Sequence, residues 1–180
     1  VIPDIIATAK GISGGYTPLA AVILRDKIMD LLREKHASFR GGHTYCANPL
    51  SARVGMEVLD IIKEQDLIEN VRRMGLRLLA GLQRLLAHPT VGDVRGKGLM
   101  AGVEFVRNKQ TKEPFPAEYL FGKRLFEEAF ARGLVVFPAS GTVDGVAGNH
   151  ILLAPPFIIT ESQVDDLVAI LDEAIGVVEK

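Results

Sequence analysis

The stretch Thr160-Glu161-Ser162-Gln163 limits more than any other what this chain can fold into. It matches the S/T-x-x-E/Q capping box, in which two side chains reciprocally satisfy the unpaired N–H groups of a helix start. Val164, Leu167, Val168, Leu171, Ala174, Ile175 and Val178 follow at helical spacing. The spacing predicts an amphipathic helix with one broad apolar face. Such a face must be covered, and the residues before it offer a sheet.

From Val94 to Val106 the chain reads as strand around glycines, with Leu99, Ala101, Val103 and Phe105 alternating with other residues. Asn108 to Pro116 reads as a polar loop. Ala117 to Arg132 reads as a helix with Leu120, Phe121, Leu125, Ala129 and Phe130 inward, ended by Gly133. Leu134 to Pro138 reads as a short strand, Ser140 to Gly148 as a loop, and His150 to Ala154 as another strand closed by Pro155-Pro156. Upstream, Asp66 opens a long helix lined by Leu67, Val71, Met74, Leu78, Leu82 and Leu85. His88-Pro89 ends it, because the residue before proline avoids helical geometry. Arg72, Arg73, Arg77 and Arg84 on this helix read as a solvated face. A boundary is expected near Thr90, giving residues 1–89 as part of an α/β layer with a linking helix and 90–180 as a small α+β domain.

The first part is the more unusual. Ile5-Ile6-Ala7-Thr8-Ala9 is short and apolar and reads as a buried strand, part of a parallel layer. It runs into Lys10 and then Gly11-Ile12-Ser13-Gly14-Gly15, a loop at its carboxyl end. Desolvation would lower the pKa of a lysine held there and leave its amine nucleophilic toward a carbonyl carbon. On its own, such a lysine reads first as a solvated charge blunting the end of an element. Leu19 to Leu24 reads as a second buried strand, and Asp26 as the cap of a short helix over 27–34. Ser38 to Cys46 reads as a loop. Asn48 is then placed to accept an orphan N–H at a helix start, with Pro49 at the first helical position.

Hydrophobic residues make up 48% of the 180 and charged residues 24%, with a formal net charge of -1. That balance lacks the Lys and Arg excess a nucleic-acid or membrane surface wants, and no apolar run is long enough for a membrane span. Cys46 is the only cysteine, so no internal disulfide can form and a cysteine-based metal site is not expected. The setting expected from that is reducing and cytoplasmic. An apolar strand starting almost at residue 1, without neighbouring units, leads us to expect the carboxyl-terminal portion of a larger protein.

Three segments in this order resemble class III pyridoxal-phosphate-dependent aminotransferases, the family of omega-amino-acid and amine transaminases. The first runs from Pro3 through Lys10 to Gly15, the second is Gly42-His43-Thr44-Tyr45-Cys46-Ala47-Asn48-Pro49, and the third combines Val94-Arg95-Gly96-Lys97-Gly98-Leu99-Met100 with Asn149 to Pro156. The resemblance implies an α/β fold-type I transferase, here the end of its large domain and its small carboxyl-terminal domain. It implies pyridoxal 5'-phosphate as cofactor and Lys10 as the residue that binds it covalently and shuttles the proton. It also implies that Thr44 contacts the cofactor phosphate of a neighbouring subunit in a homodimer. Without the resemblance, Thr44 reads first as a loop threonine bonded to its own backbone. Arg95 could bind a carboxylate or form a structural ion pair. His43 is given no catalytic role.

The implied reaction moves an amino group between an amine or amino acid and a 2-oxo acid. The alternatives are a non-catalytic, self-associating remnant, or a fold-type I enzyme of another reaction type. The family's phosphate cradle, stacking aromatic ring and ring-nitrogen aspartate have no match here, so little activity is expected of the segment alone. No arginine follows Arg132. A substrate carboxylate would therefore need another partner, or the donor is not a simple alpha-amino acid.

Overall fold

The capping box forms. In the computed structural model, which describes residues 2–38 and 41–180, the Thr160 N–H donates to Gln163 Oε1 at 3.0 Å and the Gln163 N–H to Thr160 Oγ1 at 3.3 Å. Helix α5 (defined below) buries all seven apolar residues that its spacing marked. The chain divides into two units, Val1–Asp66 and Leu67–Lys180.

The second unit is built on a four-stranded antiparallel sheet. Its strands are β3 (Val91–Lys97), β4 (Met100–Phe105), β5 (Phe137–Val143) and β6 (Ala147–Leu153), in the order β3-β4-β6-β5. Helices α3 (Leu67–Arg84), α4 (Phe121–Ala131) and α5 (Glu161–Val178) complete it. Leu78, Leu82, Val103, Phe105, Phe121, Leu125, Ile151, Leu171 and Ile175 form the middle of one core. Met100, Phe137 and Leu152 remain exposed, and Ile151 and Leu153 beside Leu152 are buried. That alternation is the signature of a sheet packed on one side.

A close backbone contact lies between α3 and the β3–β4 turn. Gly98 occupies the left-handed region at φ +57, which closes the chain between the paired residues Lys97 and Met100. A Cβ on Gly75 of α3 would fall 2.5 Å from the Gly98 carbonyl carbon and oxygen. Arg77 joins α3 to α5, donating to Asp165 at 2.8 and 2.6 Å and to Glu161 at 3.1 Å. Arg72 pairs with Glu69. Arg72 and Arg77 thus lie on a solvated, ion-paired helix surface.

At the end of α5, Glu179 accepts from the Thr90 hydroxyl at 2.7 Å and the Thr90 N–H at 3.2 Å, and its other oxygen lies 2.8 Å from His88 Nδ1. His88 Nε2 is 2.8 Å from Asp172. Burial pulls His88 down, but its hydrogen bonds to Glu179 and Asp172, with their charges, outweigh burial and hold it above its ordinary 6.5. Burial pushes Glu179 up, yet the bonds from Thr90 and His88 hold it below its ordinary 4.5.

The first unit contains β1 (Ile5–Thr8), β2 (Ala21–Leu24), α1 (Asp26–Glu34) and α2 (Pro49–Glu64). Asn48 Oδ1 accepts from the Ser51 N–H at 3.1 Å and Pro49 opens α2, as the sequence requires.

Several expectations need correction. Strands β1 and β2 pair antiparallel, Ile5 with Leu24 through Thr8 with Ala21, instead of forming a parallel layer. The twelve residues between them reverse the chain, whereas parallel neighbours need a crossover. Nor are these strands buried: Ile5, Ile6, Val22 and Ile23 are all exposed within this chain. Asp26 is the first residue of α1, with Arg25 as its cap. The expected helix over 117–132 is broken at Leu120, which takes φ +52 and is exposed, as is Phe130. Strand β5 begins at Phe137 and continues through residues read as loop. Gly141 and Gly148 take positive φ there, and the ladder shifts register between Ser140 and Val143. The expected boundary at 89/90 differs from the division at 66/67, because α3 packs on β3, β4 and α5. Of the loop read at Ser38 to Cys46, Phe39 and Arg40 lie outside the described residues.

Candidate active site

Strand β1 ends at Thr8, and Ala9 continues extended before Lys10 opens a single 3₁₀ turn, Lys10–Ser13. Lys10 itself takes φ +55. A left-handed lysine costs about 1–2 kcal/mol relative to ordinary backbone, so neighbouring contacts must hold it. Ser13 is the one buried polar residue among the described residues. Its hydroxyl donates to the Thr17 carbonyl at 2.5 Å and lies 3.5 Å from the Lys10 carbonyl. Thr17 Oγ1 lies 2.8 Å from Ser51 Oγ on α2.

The turn rests on α2 at a glycine. Gly55 is buried, and a Cβ there would collide with the Leu19 side chain and approach the Ile12 carbonyl. Gly14 and Gly15 follow at φ +59 and +81, carrying the chain back toward β2. Gly11 lies inside the 3₁₀ turn without that requirement.

Lys10 lies on an open cleft of about 1100 Å³, whose walls include Tyr16, Thr17, His43, Tyr45, Ala47 and Ser51. The second sequence segment therefore meets the first in space. His43 to Ala47 forms a turn closed by the Cys46 N–H donating to the His43 carbonyl at 2.9 Å. The Asn48 N–H donates to the Tyr45 carbonyl at 3.3 Å. Ala47 takes φ +57, a second left-handed non-glycine on the same cleft.

Lys10 is exposed, so the desolvation expected at a strand end is not supplied by this chain's own residues. Thr44 is exposed on the same turn, but its two neighbours line the cleft and it does not. Asp4 is occupied by Arg25 and Lys27, at 3.3 and 2.7 Å. Arg95 resolves to a structural role: it pairs with Asp93 and, at 2.8 Å, with Glu104, and these hydrogen bonds raise its pKa. Arg132 is likewise paired, with Glu128 at 2.6 Å and Glu173 at 3.5 Å.

Sequence reasoning missed Ser13, Thr17 and Ser51. The available signal was a serine between glycines directly after a candidate lysine, where a hydroxyl can close a turn.

An exposed lysine on a held backbone, lining a cleft with room for a small aromatic group, fits a carbonyl-bearing cofactor. The comparisons with known proteins agree. The family model for class-III aminotransferases matches residues 1–175. An uncharacterized aminotransferase of Schizosaccharomyces pombe is 40% identical over 97% of this chain and 38% of its own length. A transaminase structure from a marine Virgibacillus superposes with a TM-score of 0.90 at 39% identity, covering 99% of this chain and 40% of that one. An amine transaminase from an uncultivated Pseudomonas species, solved in its PLP-bound form, gives 0.85 at 34% identity over 97% of this chain and 38% of its own. The chain thus spans about two fifths of the length of the relatives it matches. Their α/β architecture is the fold-type I architecture of pyridoxal-phosphate-dependent transferases, as the sequence led us to expect. On a match that runs through almost every residue, this chain belongs to the class-III aminotransferases.

Proposed function

We propose that the protein carrying this chain is an aminotransferase, exchanging an amino group between an amine or amino acid and a 2-oxo acid with pyridoxal 5'-phosphate. The observation that carries this reading is the placement of Lys10. Lys10 lines a cleft shared with residues of the 43–52 segment, in a chain that the class-III aminotransferase model matches over residues 1–175.

Pyridoxal phosphate, when bound, supplies a reactive aldehyde carbon and a ring that takes up electron density from the carbon bearing the amino group. Lys10 would hold the cofactor covalently through its Nζ. The same amine, once free, would act as general base and then general acid for the proton at the carbon bearing the amino group. The left-handed backbone at Lys10 gives that amine a fixed base, while its four-carbon stem provides reach. Thr44 would donate its hydroxyl to a phosphate oxygen of the cofactor in a second subunit. Its exposure leaves that hydroxyl accessible to a second subunit. The catalytic unit is then a homodimer. Arg95 and Arg132 are both paired to acids, so a substrate carboxylate would take its partner from another group, or the donor is not a simple alpha-amino acid.

Amino exchange tests this directly. The full-length protein, loaded with pyridoxal phosphate, should convert an amine and pyruvate to a ketone and alanine, and Lys10→Ala should abolish turnover. Racemisation or decarboxylation without amino exchange would contradict the reading.

A further inference from the structure

We propose that Ser13 is a positioning residue for the Lys10 amine. The inference rests on the functional reading of Lys10 given above. Lys10 adopts φ +55, a conformation its own side chain disfavours. Relaxation to an ordinary negative φ would re-aim the Cα–Cβ bond and carry the amine away from the cleft. Something must therefore oppose that relaxation.

The Ser13 hydroxyl is placed to do so. It ends the 3₁₀ turn that Lys10 begins, lies 3.5 Å from the Lys10 carbonyl, and donates to Thr17 at 2.5 Å. It thereby ties the end of the turn to the segment returning toward β2. Thr17 is in turn joined to Ser51 of α2 at 2.8 Å, and Gly55 lets α2 come close beneath the turn. The side chain is 1% exposed, so water does not replace its bond to Thr17 when it is removed. Ser13 does not need to touch substrate or cofactor. It acts through the direction in which Lys10 points.

The test uses the full-length protein without cofactor. Pyridoxal phosphate is added, borohydride reduction fixes it to the amine it has joined, and peptide mapping gives the rate and site of modification. In this reaction the lysine nitrogen bonds to the aldehyde carbon, water leaves, and hydride from borohydride yields a stable secondary amine. Ser13→Ala should slow modification at Lys10 by about tenfold, the loss expected of one buried hydrogen bond. Ser13→Thr, which keeps the hydroxyl, should stay within about twofold of the parent. Ser13→Cys, a near-isosteric weak donor, should fall between them and decides the matter where Ser13→Ala does not fold. Equal rates for serine, cysteine and alanine would overturn the proposal while leaving Lys10 as the reactive residue. Equal slowing by threonine and alanine would overturn it as well, since the hydroxyl would then be irrelevant. A parent protein unmodified at Lys10 would take the functional reading down with it.

Discussion

Gly75→Ala inverts the usual effect of replacing a helical glycine. In an exposed helix the change stabilises by about 1 kcal/mol, because alanine restricts the unfolded chain and favours helix. Here the added Cβ would lie 2.5 Å from the Gly98 carbonyl carbon and oxygen and 2.6 Å from its Cα. Carbon atoms pack best at about 3.5–4.0 Å, so α3 and the β3–β4 turn would have to separate by about 1 Å. The obstructing atoms are backbone. Gly98 is itself held at φ +57 between two paired strand residues, so no rotamer change relieves the overlap. Overpacking of this sort costs about 1–3 kcal/mol, and a backbone obstruction belongs at the upper end. Offset by the helix gain, the net loss is about 2 kcal/mol. Urea unfolding followed by far-ultraviolet circular dichroism should show the midpoint falling by about 1 M, with the slope unchanged. A midpoint equal to or above the parent's would refute the close approach of α3 to the turn.

Two further outcomes follow from the same geometry. The His88–Glu179–Thr90 cluster should make stability depend on pH from both sides. His88 is raised in the folded state, so its contribution is complete below 6.5 and disappears as pH rises through the higher folded value. Glu179 is lowered, so its contribution holds above 4.5 and disappears as pH falls through the lower folded value. His88→Ala should flatten the alkaline side of a stability–pH curve measured by urea unfolding, and an unchanged slope there would contradict the pairing. Thr44→Ala in the full-length protein should weaken pyridoxal phosphate binding by about 10–100-fold, the range for one hydrogen bond to a charged acceptor. Equilibrium dialysis measures this, and unaltered affinity would remove Thr44 from the site.

Helix α5 was legible residue by residue, because a capped helix with a broad apolar face admits one arrangement of buried positions. The start of α2 was legible for the same local reason: Asn48 and Pro49 answer the unpaired N–H groups of its first turn. Strands were harder. Ile5, Ile6, Val22 and Ile23 mark segments that want cover, but apolarity does not say which polypeptide provides it, and within this chain they are exposed. The β5–β6 hairpin was hidden because Gly141 and Gly148, which let it bulge, read as loop residues when seen in sequence. Leu120 was hidden for the opposite reason, since nothing in a leucine signals a left-handed break. At the site, Lys10 and Thr44 were reached through resemblance. Ser13 had a local signal in the glycines around it, whereas the Thr17–Ser51 contact depends on the close approach of α2 to the turn.

Covalent capture reports most directly on Lys10. The full-length protein, incubated with limiting pyridoxal phosphate and reduced with borohydride, should carry the added mass on the peptide containing Lys10, and Lys10→Arg should lose it. Modification spread over surface lysines, with no preference for Lys10, would contradict the assignment of this amine to the cofactor.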